Sequence, residues 1–334
     1  MTTVALFGAG RIGRIHAANL AALPGVRLKT VSDPVPDAAR SLAAAHGAQV
    51  APDIEAVFAD PEVEAVVIAS PTTTHSDLIT RAAAARKHVF CEKPVDLSVA
   101  RAQACADAVA AAGVACMIGF QRRFDPTFAA AQTRLAAGEI GTPEMLVITS
   151  RDPGAPPVDY IRSSGGIFRD MLIHDFDVFR WILGEGGRDE AAWLSATGSC
   201  LVDPAIAEAG DIDSAAVTIR TKGGRLCQIN TSRRAAYGYD QRFEVLGSRG
   251  LLACGNHRPT EVTRLDASGV QTDLPEHFFL QRYRDAYRLE IEHFFAQLQS
   301  GGPFRTSVAD GVAAQRLADA AAQSLATGRP VVFD

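Results

Sequence analysis

The stretch "TVALFGAGRIGRIHAANLAAL", residues 3–23, decides the fold. It begins as an apolar strand-like run and continues as an alanine- and leucine-rich helical pattern. Between the two lie Gly8, Gly10 and Gly13, in the spacing Gly-x-Gly-x-x-Gly. In this spacing the first glycine makes a tight turn, the second lets the backbone approach a pyrophosphate, and the third lets the helix pack on the strand. The stretch therefore predicts a dinucleotide-binding strand–turn–helix unit.

A carboxylate stands where such a unit requires one. Asp33 ends the second strand-like run, 20 residues past Gly13, where it would accept hydrogen bonds from the adenosine ribose. The residues that follow, "PVPD", include no arginine that could hold a 2′-phosphate, so the sequence favours NAD over NADP. Arg11 and Ile12, inside the turn, are further candidate cofactor contacts.

Strand-like and helical runs alternate through the first 120 residues. This alternation predicts right-handed crossovers and a doubly wound parallel sheet, a Rossmann domain over residues 1–120. Beyond Phe120 the pattern changes, and runs with two-residue alternation between 193 and 265 predict a largely antiparallel open sheet. We expect residues 121–334 to form an α+β domain, with the last helix as a candidate to pack back on the first domain.

The composition argues against several classes of partner. The net charge of -5 and the lack of a basic stripe disfavour nucleic acids and anionic membranes as partners. No secretory signal and no membrane span are apparent, and the six scattered cysteines are typical of reduced thiols. We therefore expect a cytoplasmic protein without a structural metal site, whose partner is a small molecule.

Two further motifs carry candidate chemistry. "CEKP" (91–94) lies at the carboxyl end of the fourth strand, the edge at which open α/β sheets bind ligands, so Lys93 is expected to point into a crevice. In "GGIFRDMLIHDFDVFRW" (165–181), Asp170 and His174 are four residues apart, which predicts one shared helix face. The pair is either a buried ion pair or a general base with an orienting carboxylate. A metal trio with Asp177 is a third alternative.

Several segments together resemble the glucose-fructose oxidoreductase/inositol dehydrogenase (Gfo/Idh/MocA) family from end to end. They are "GAGRIGRIHAANL", "SPTTTH" (70–75), "CEKPVDLS" (91–98), "GFQRRFDP" (119–126) and "GGIFRDMLIHDFD" (165–177). Within the family, "SRDPGAPP" (150–157), "AGDIDSA" (209–215) and "YGYDQR" (237–242) are similar to the bacterial inositol 2-dehydrogenases. "SPTTTH" departs from many relatives, which carry Asn before its last residues.

The resemblance implies NAD-dependent oxidation of a ring polyol hydroxyl to a ketone, most closely myo-inositol to scyllo-inosose. It also implies a homotetramer packed through the sheet of the C-terminal domain, which would serve substrate binding and oligomerisation. The site residues that it implies are Lys93, Asp170 and His174 for catalysis; Ser70, Thr72 and His75 on the loop lining the cofactor, with Glu92 near the nicotinamide; and Arg123, Asp152 and Tyr239 facing the polyol.

These groups suit the reaction. A neutral His174 can accept the hydroxyl proton near neutral pH, Asp170 can fix its tautomer, and Lys93 can donate to the oxygen as negative charge develops. Two enzyme alternatives keep this chemistry and change the ring, to scyllo-inositol or to an aldose such as glucose. A third alternative is a non-catalytic dinucleotide-binding regulator, which the joint presence of these three residues disfavours.

Overall fold

The computed structural model describes residues 1–184 and 188–334, and these form two compact units. The first comprises Met1–Phe124 and Asp285–Arg316, and the second comprises Asp125–Arg284 and Leu317–Asp334. The sequence predicts a division after residue 120, with the last helix as a candidate to pack back on the first domain; in the structure residues 285–316, which include the start of that helix, group with the first unit.

The first unit is built on a six-stranded sheet, and every strand pair in it is parallel. Its strands are β1 (Thr2–Phe7), β2 (Val26–Ser32), β3 (Gln49–Val50), β4 (Ala65–Ile68), β5 (His88–Glu92) and β6 (Cys116–Gly119). Their order is β3-β2-β1-β4-β5-β6, so the predicted doubly wound sheet is confirmed. The order reverses between β1 and β4, and the carboxyl ends of these two strands mark the edge where such sheets bind ligands.

Helices alternate with these strands as predicted. They are α1 (Arg11–Ala22), α2 (Pro36–Ala45), α3 (Ile54–Ala59), α4 (His75–Ala84) and α5 (Val99–Ala112). The residues of β4 and most of those in β1 and β5 are buried, because helices cover both faces of a parallel sheet. The short β3 and α3 escaped the sequence analysis, since neither has the length of a clear periodic run.

The second unit holds a seven-stranded sheet that is largely antiparallel, as predicted. Its strands are β7 (Pro143–Arg151), β8 (Ala191–Ser199), β9 (Ser214–Thr221), β10 (Leu226–Ser232), β11 (Asp240–Gly247), β12 (Gly250–Cys254) and β15 (Val331–Val332). Their order is β12-β11-β7-β10-β9-β8-β15, and β7 pairs with β10 in parallel.

One strand of the second unit was misplaced by the sequence analysis. The run "TEVTRLD" (260–266) does not join the seven-stranded sheet; its last residues form β13 (Thr263–Asp266), which pairs only with β14 (Gly269–Thr272). All residues of this hairpin are exposed. Its alternation of apolar and polar residues therefore does not reflect a buried face.

The remaining helices follow β6 along the chain. They are α6 (Pro126–Ala136), α7 (Val158–Ser164), α8 (Ile167–Asp170), α9 (Ile173–Ile182), α10 (Pro204–Glu208), α11 (Phe279–Arg282), α12 (Arg284–Ser300) and α13 (Val308–Thr327). Of these, α12 lies almost wholly in the part assigned to the first unit. Among the described residues no helix combines the length and the apolar character needed to cross a bilayer. None of the six cysteines is in a disulfide, and all but Cys200 are buried.

The segment with Asp170 and His174 differs from the prediction of one continuous helix. Asp170 ends α8, and His174 lies in the first turn of α9. The Ile167 carbonyl accepts from the amides of both Met171 and Leu172, at 3.0 Å each. This wide turn closes α8 and starts a new helix, so spacing along one straight helix does not describe the pair.

Candidate functional site

The glycine turn after β1 has the geometry that a dinucleotide needs. A Cβ on Gly13 would lie 2.0 Å from the Gly8 carbonyl oxygen, and one on Gly8, at φ +101°, would lie 2.5 Å from the Ala69 carbonyl oxygen. A Cβ on Gly10 would meet nothing within 4 Å. The first and third glycines are therefore required by packing within the protein, while the second leaves open space through which a pyrophosphate would reach the amino end of α1.

Asp33 is tied to this turn. Its Oδ2 accepts from the Ala9 amide at 2.6 Å, and its Oδ1 accepts from the Val35 amide at 2.8 Å. A carboxylate offers about four lone-pair positions, so these two bonds orient the group and leave it able to accept from ribose hydroxyls. The residues of the turn and Asp33 together fit NAD.

The loop after β4 is held from within the first unit. His75 is buried, and its Nδ1 and Nε2 lie 2.7 Å from the Pro94 carbonyl oxygen and 2.8 Å from the Ser70 carbonyl oxygen. Burial lowers the pKa of His75, and the two carbonyls partly offset that effect. Thr72 lies in a single 3-10 turn, and the Ser70 and Thr74 hydroxyls are 2.6 Å apart. His75 thus joins this loop to the turn after β5, and its predicted contact with the cofactor stays a prediction.

Glu92 is the last residue of β5 and Lys93 follows it, and the Lys93–Pro94 peptide bond is cis. The Glu92 Oε1 atom lies 2.8 Å from His16 Nε2 in the interior of the first unit. Glu290 of α12 is fully buried beside them. One ring nitrogen of His16 and one carboxylate oxygen each of Glu92 and Glu290 lie within 4.8 Å of one another. Among the described residues neither Glu290 carboxylate oxygen has a hydrogen-bond partner. Burial, and then the Glu92 charge, raise the pKa of Glu290 well above its ordinary value.

The sequence analysis missed His16 and Glu290, although each carried a signal. His16 follows Gly13 by three residues, on the face of α1 that packs on the sheet. Glu290 stands among Ala286, Ile291 and Phe294 on the buried face of its helix. A carboxylate is rarely fully buried on an apolar helix face unless it is paired with another group.

Arg123 is buried and bound inside the first unit. Its Nη1 donates to the Arg305 carbonyl oxygen at 2.7 Å, and its Nη2 donates to Asp310 Oδ1 at 3.1 Å. These bonds fasten the segment that begins α13 to the residues after β6. These two bonds are enough to explain why Arg123 is buried, so its burial does not itself indicate a bound substrate. The predicted contact of Arg123 with the polyol stays a prediction.

In the second unit, Asp170 is the centre of a polar network. Its Oδ1 accepts from the Tyr160 hydroxyl at 2.8 Å, and its Oδ2 accepts from Arg233 Nη1 at 3.1 Å. Arg233 Nη2 also donates to Asp211 Oδ2 at 3.2 Å, and Asp211 Oδ1 accepts from the Ile167 amide at 3.1 Å. Burial and the Asp170 carboxylate raise the pKa of Tyr160. The sequence analysis quoted "AGDIDSA" but assigned no role to Asp211, Arg233 or Tyr160.

The other predicted residues of the second unit are placed as follows. His174 is 8% exposed, within an otherwise buried stretch of α9. Asp152 follows β7 and is partly exposed, and Tyr239 is buried with its ring edge-on to Tyr283, centroids 6.0 Å apart. Asp170, His174 and Asp177, the alternative metal trio, do not form a cluster close enough to hold a metal ion in residues 1–184 and 188–334.

Two family models match the chain. The model described as "Oxidoreductase family, NAD-binding Rossmann fold" matches residues 2–120, and the one described as "Oxidoreductase family, C-terminal alpha/beta domain" matches residues 132–333. Both are models of the Gfo/Idh/MocA oxidoreductases.

Individual relatives are similar over nearly their whole length. The inositol 2-dehydrogenase of Rhizobium meliloti is 48% identical, with 98% of this chain and 97% of the relative covered. The scyllo-inositol 2-dehydrogenase (NAD(+)) of Bacillus subtilis is 39% identical over 99% of this chain and 96% of its own. The crystal structure of a myo-inositol dehydrogenase from Corynebacterium glutamicum superposes with a TM-score of 0.95, at 44% identity, covering 100% of this chain and 99% of that one.

The glycine turn allows a paired test of packing against cofactor access. Gly13→Ala places its Cβ against the Gly8 carbonyl, so we expect it to destabilise the protein by about 1–3 kcal/mol. Gly10→Ala has open space and an ordinary φ of -72°, so it should keep the melting temperature of the wild type while the KM for NAD rises about tenfold. Thermal melts and NAD titrations of both variants make the measurement. Equal destabilisation by the two substitutions would contradict this account of the turn.

Because Glu290 is buried, replacing it with glutamine is predicted to stabilise the protein, and to do so more strongly as pH rises. Because burial raises the pKa of Glu290 in the fold, the unfolded chain releases this proton at lower pH than the folded protein does, so this residue makes the protein less stable as pH rises. We expect Glu290→Gln to raise the melting temperature at pH 8 more than at pH 5, by about 1–2 °C per pH unit. Glu292→Gln on the same helix, whose side chain is 39% exposed, is the matched control and should show no such trend. A pH-independent difference for Glu290→Gln would mean that Glu290 is ionised in the fold.

Proposed function

The chain belongs to the Gfo/Idh/MocA oxidoreductase family, and from that premise we propose that it is an NAD-dependent inositol 2-dehydrogenase. Its reaction is the oxidation of myo-inositol at one ring hydroxyl to the ketone scyllo-inosose. The observation that carries the proposal is the end-to-end identity of 48% with an inositol 2-dehydrogenase. The glycine turn and Asp33, whose geometry fits a dinucleotide, support it.

The reaction divides into a hydride and a proton. NAD, when bound, accepts the hydride from the ring carbon that carries the hydroxyl. The protein must therefore bind and orient the ring, and it must remove the hydroxyl proton as the C=O bond forms. The products are the ketone, the reduced cofactor and one proton, so atoms and electrons balance.

We assign the proton to a ring nitrogen of His174, which has the ordinary chemistry of a general base near neutral pH. Asp170 is assigned to stabilise the imidazolium that forms, a role that suits a carboxylate held by Arg233 and Tyr160. Lys93 is assigned to donate a hydrogen bond to the reacting oxygen, which stabilises its developing negative charge. Proton handling of this kind contributes about 10²–10⁴-fold to the rate.

We assign substrate recognition to two polar side chains of the second unit, Asp152 and Tyr239. Asp170 and His174 belong to the same unit. Asp152 influences the pKa of Tyr160, which in turn donates to Asp170, so Asp152 belongs to the same electrostatic neighbourhood. Tyr239 lies in an aromatic cluster with Tyr283 and Phe278. A polyhydroxylated ring needs such partners, because an unsatisfied buried polar group costs about 1–3 kcal/mol.

A second candidate substrate is scyllo-inositol. The observation that favours it is the 39% identity, again over nearly the full length, with a scyllo-inositol 2-dehydrogenase (NAD(+)). This candidate keeps every assigned residue and changes only which face of the reacting carbon presents its hydrogen.

The experiment that tests the proposal is reduced-nicotinamide formation by the purified protein, measured as kcat/KM. The panel contains myo-inositol, scyllo-inositol, D-chiro-inositol and glucose, each with NAD and with NADP. We expect NAD with myo-inositol to give the highest value. A preference for scyllo-inositol would favour the second candidate, and no turnover despite NAD binding would favour a dinucleotide-binding regulator.

His174 gives the sharpest test of the mechanism. His174→Ala should lower kcat by about 10²–10⁴-fold, because the general base is lost, while the dissociation constant for NAD stays within about twofold. Steady-state kinetics and cofactor titration by fluorescence measure the two quantities. Turnover at the wild-type rate would remove His174 from the mechanism.

We propose further that the protein acts in the cytoplasm as a homotetramer assembled through the sheet of the second unit. One observation supports the interface: Leu246 and Leu251 are directly paired across β11 and β12, yet they are 40% and 48% exposed in the single chain. Contiguous exposed apolar surface on a sheet is typical of a protein contact, and this pair would form part of such a surface. Light scattering coupled to size exclusion should give the mass of four chains, and a monomer mass would contradict the assembly.

A further inference from the structure

We propose that Arg233 and Asp211 are positioning residues that act through Asp170, and that their opposite charges set the lower pH limit of turnover. The inference rests on the proposed function, because it takes Asp170 as a member of the proton-handling pair. No resemblance or motif assigned a role to either residue.

Arg233 is buried and binds two carboxylates. The residue is 1% exposed, and its two terminal nitrogens bind two different carboxylates, Asp170 at 3.1 Å and Asp211 at 3.2 Å. A buried guanidinium is costly unless its partners are well placed. The arrangement therefore fixes the Asp170 carboxylate in one orientation, and any variant that lacks the cation leaves two anions close together.

Arg233 and Asp211 also hold α8, the helix that carries Asp170. α8 has only four residues, and Gly165 and Gly166, both at φ +85°, precede it. Such a short helix has no stability of its own. Asp211 Oδ1 accepts from the amide of its first residue, Ile167, while Arg233 binds its last residue, Asp170. Asp211 and Arg233 thus fasten both ends of α8.

Gly166 shows how closely Asp211 approaches this helix. A Cβ on Gly166 would lie 3.1 Å from Asp211 Oδ1, and its positive φ already disfavours any other residue. The motif "AGDIDSA" is thereby explained in part: Asp211 serves α8, while Asp213 accepts from the amides of Leu201 and Val202 and shapes its own loop.

Charged or titratable groups lie on α8, on the elements next to it and on the residues bonded to them, and several are bound to partners of their own. Arg169 pairs with Asp319 at 2.7 Å, and the Asp213 carboxylate is held by backbone amides. The groups are Tyr160 of α7; Arg169 of α8; His174, Asp175 and Asp177 of α9; Asp211 and Asp213 before β9; Arg233 after β10; Asp152 after β7; and Asp319 of α13. Of these, Arg233 brings a positive charge into hydrogen-bond contact with Asp170, at 3.1 Å.

The sign of the effect follows from these charges. A nearby cation disfavours protonation of a carboxylate or of an imidazole, and a nearby anion favours it. Removal of Arg233 should therefore make the proton-handling pair take up a proton at higher pH. Removal of the Asp211 charge should have the opposite effect. A role confined to packing would not shift the pH dependence in two opposite directions.

The test is the pH dependence of kcat/KM for the polyol at saturating NAD, in the full chain. We expect Arg233→Met to move the acid limb upward by about one pH unit, a loss of about tenfold on that limb, with the plateau above it largely kept. Arg233→Lys keeps the charge and should restore most of the limb. Asp211→Asn keeps the oxygen that accepts from Ile167 and should move the limb downward.

Two further variants separate the outcomes. Arg225→Met removes another arginine of the same unit, one bound to the Leu183 carbonyl at 2.9 Å, and should leave the acid limb at the wild-type position. Asp170→Asn tests the premise: wild-type turnover there would overturn the role of Asp170 in the proposed function. If Asp170→Asn is inactive while the Arg233 and Asp211 variants leave the limb unmoved, or move it the same way, this inference alone is wrong. If Arg233→Met fails to fold, the lysine and Asp211→Asn variants still decide it.

Discussion

The backbone contact between Gly8 and Gly13 is the constraint on which the first unit depends. Because no side chain fits between them, α1 leaves β1 at one fixed angle, with its amino end at the carboxyl edge of the sheet. Gly8 also abuts the carbonyl of Ala69, so the loop after β4 is placed by the same residue. Asp33 adds a bond from β2 to the turn. Three neighbouring strands thus present their loops at the point where the strand order reverses, the position at which such sheets bind dinucleotides.

Each unit keeps buried charge beside the residues that we assign to chemistry. In the first, Glu92, the residue before Lys93, is bound to His16 and lies close to the buried Glu290. In the second, Asp170 is held by Arg233, which Asp211 also binds. Buried polar groups of this kind contribute little net stability and are costly when a partner is removed. Their value lies in orientation, since a fixed carboxylate keeps its charge at one place throughout a reaction.

The local patterns predicted most of the fold. The Gly-x-Gly-x-x-Gly turn and the alternation of strands and helices are short-range signals, and both were confirmed as a doubly wound sheet. Errors arose where distant contacts decide local structure. The helix through Asp170 breaks at Met171, where the Ile167 carbonyl takes two amides and Asp211 binds the start of α8. Arg233 was missed because Asp170, which it binds, is 63 residues away in the chain. Glu290 was missed because the groups close to it, His16 and Glu92, lie on other elements of the same unit. The roles assigned to Lys93 and His174 stay predictions.

The central claim is that a hydride passes from one defined carbon of the inositol ring to NAD. The most direct measurement uses myo-inositol that carries deuterium at C2, with the reduced cofactor and the ketone analysed by NMR and mass spectrometry. The account predicts deuterium at C4 of the nicotinamide, scyllo-inosose as the product, and a primary isotope effect whenever the hydride step limits kcat/KM. Reduced cofactor without deuterium, with the label retained in the oxidised ring, would contradict it.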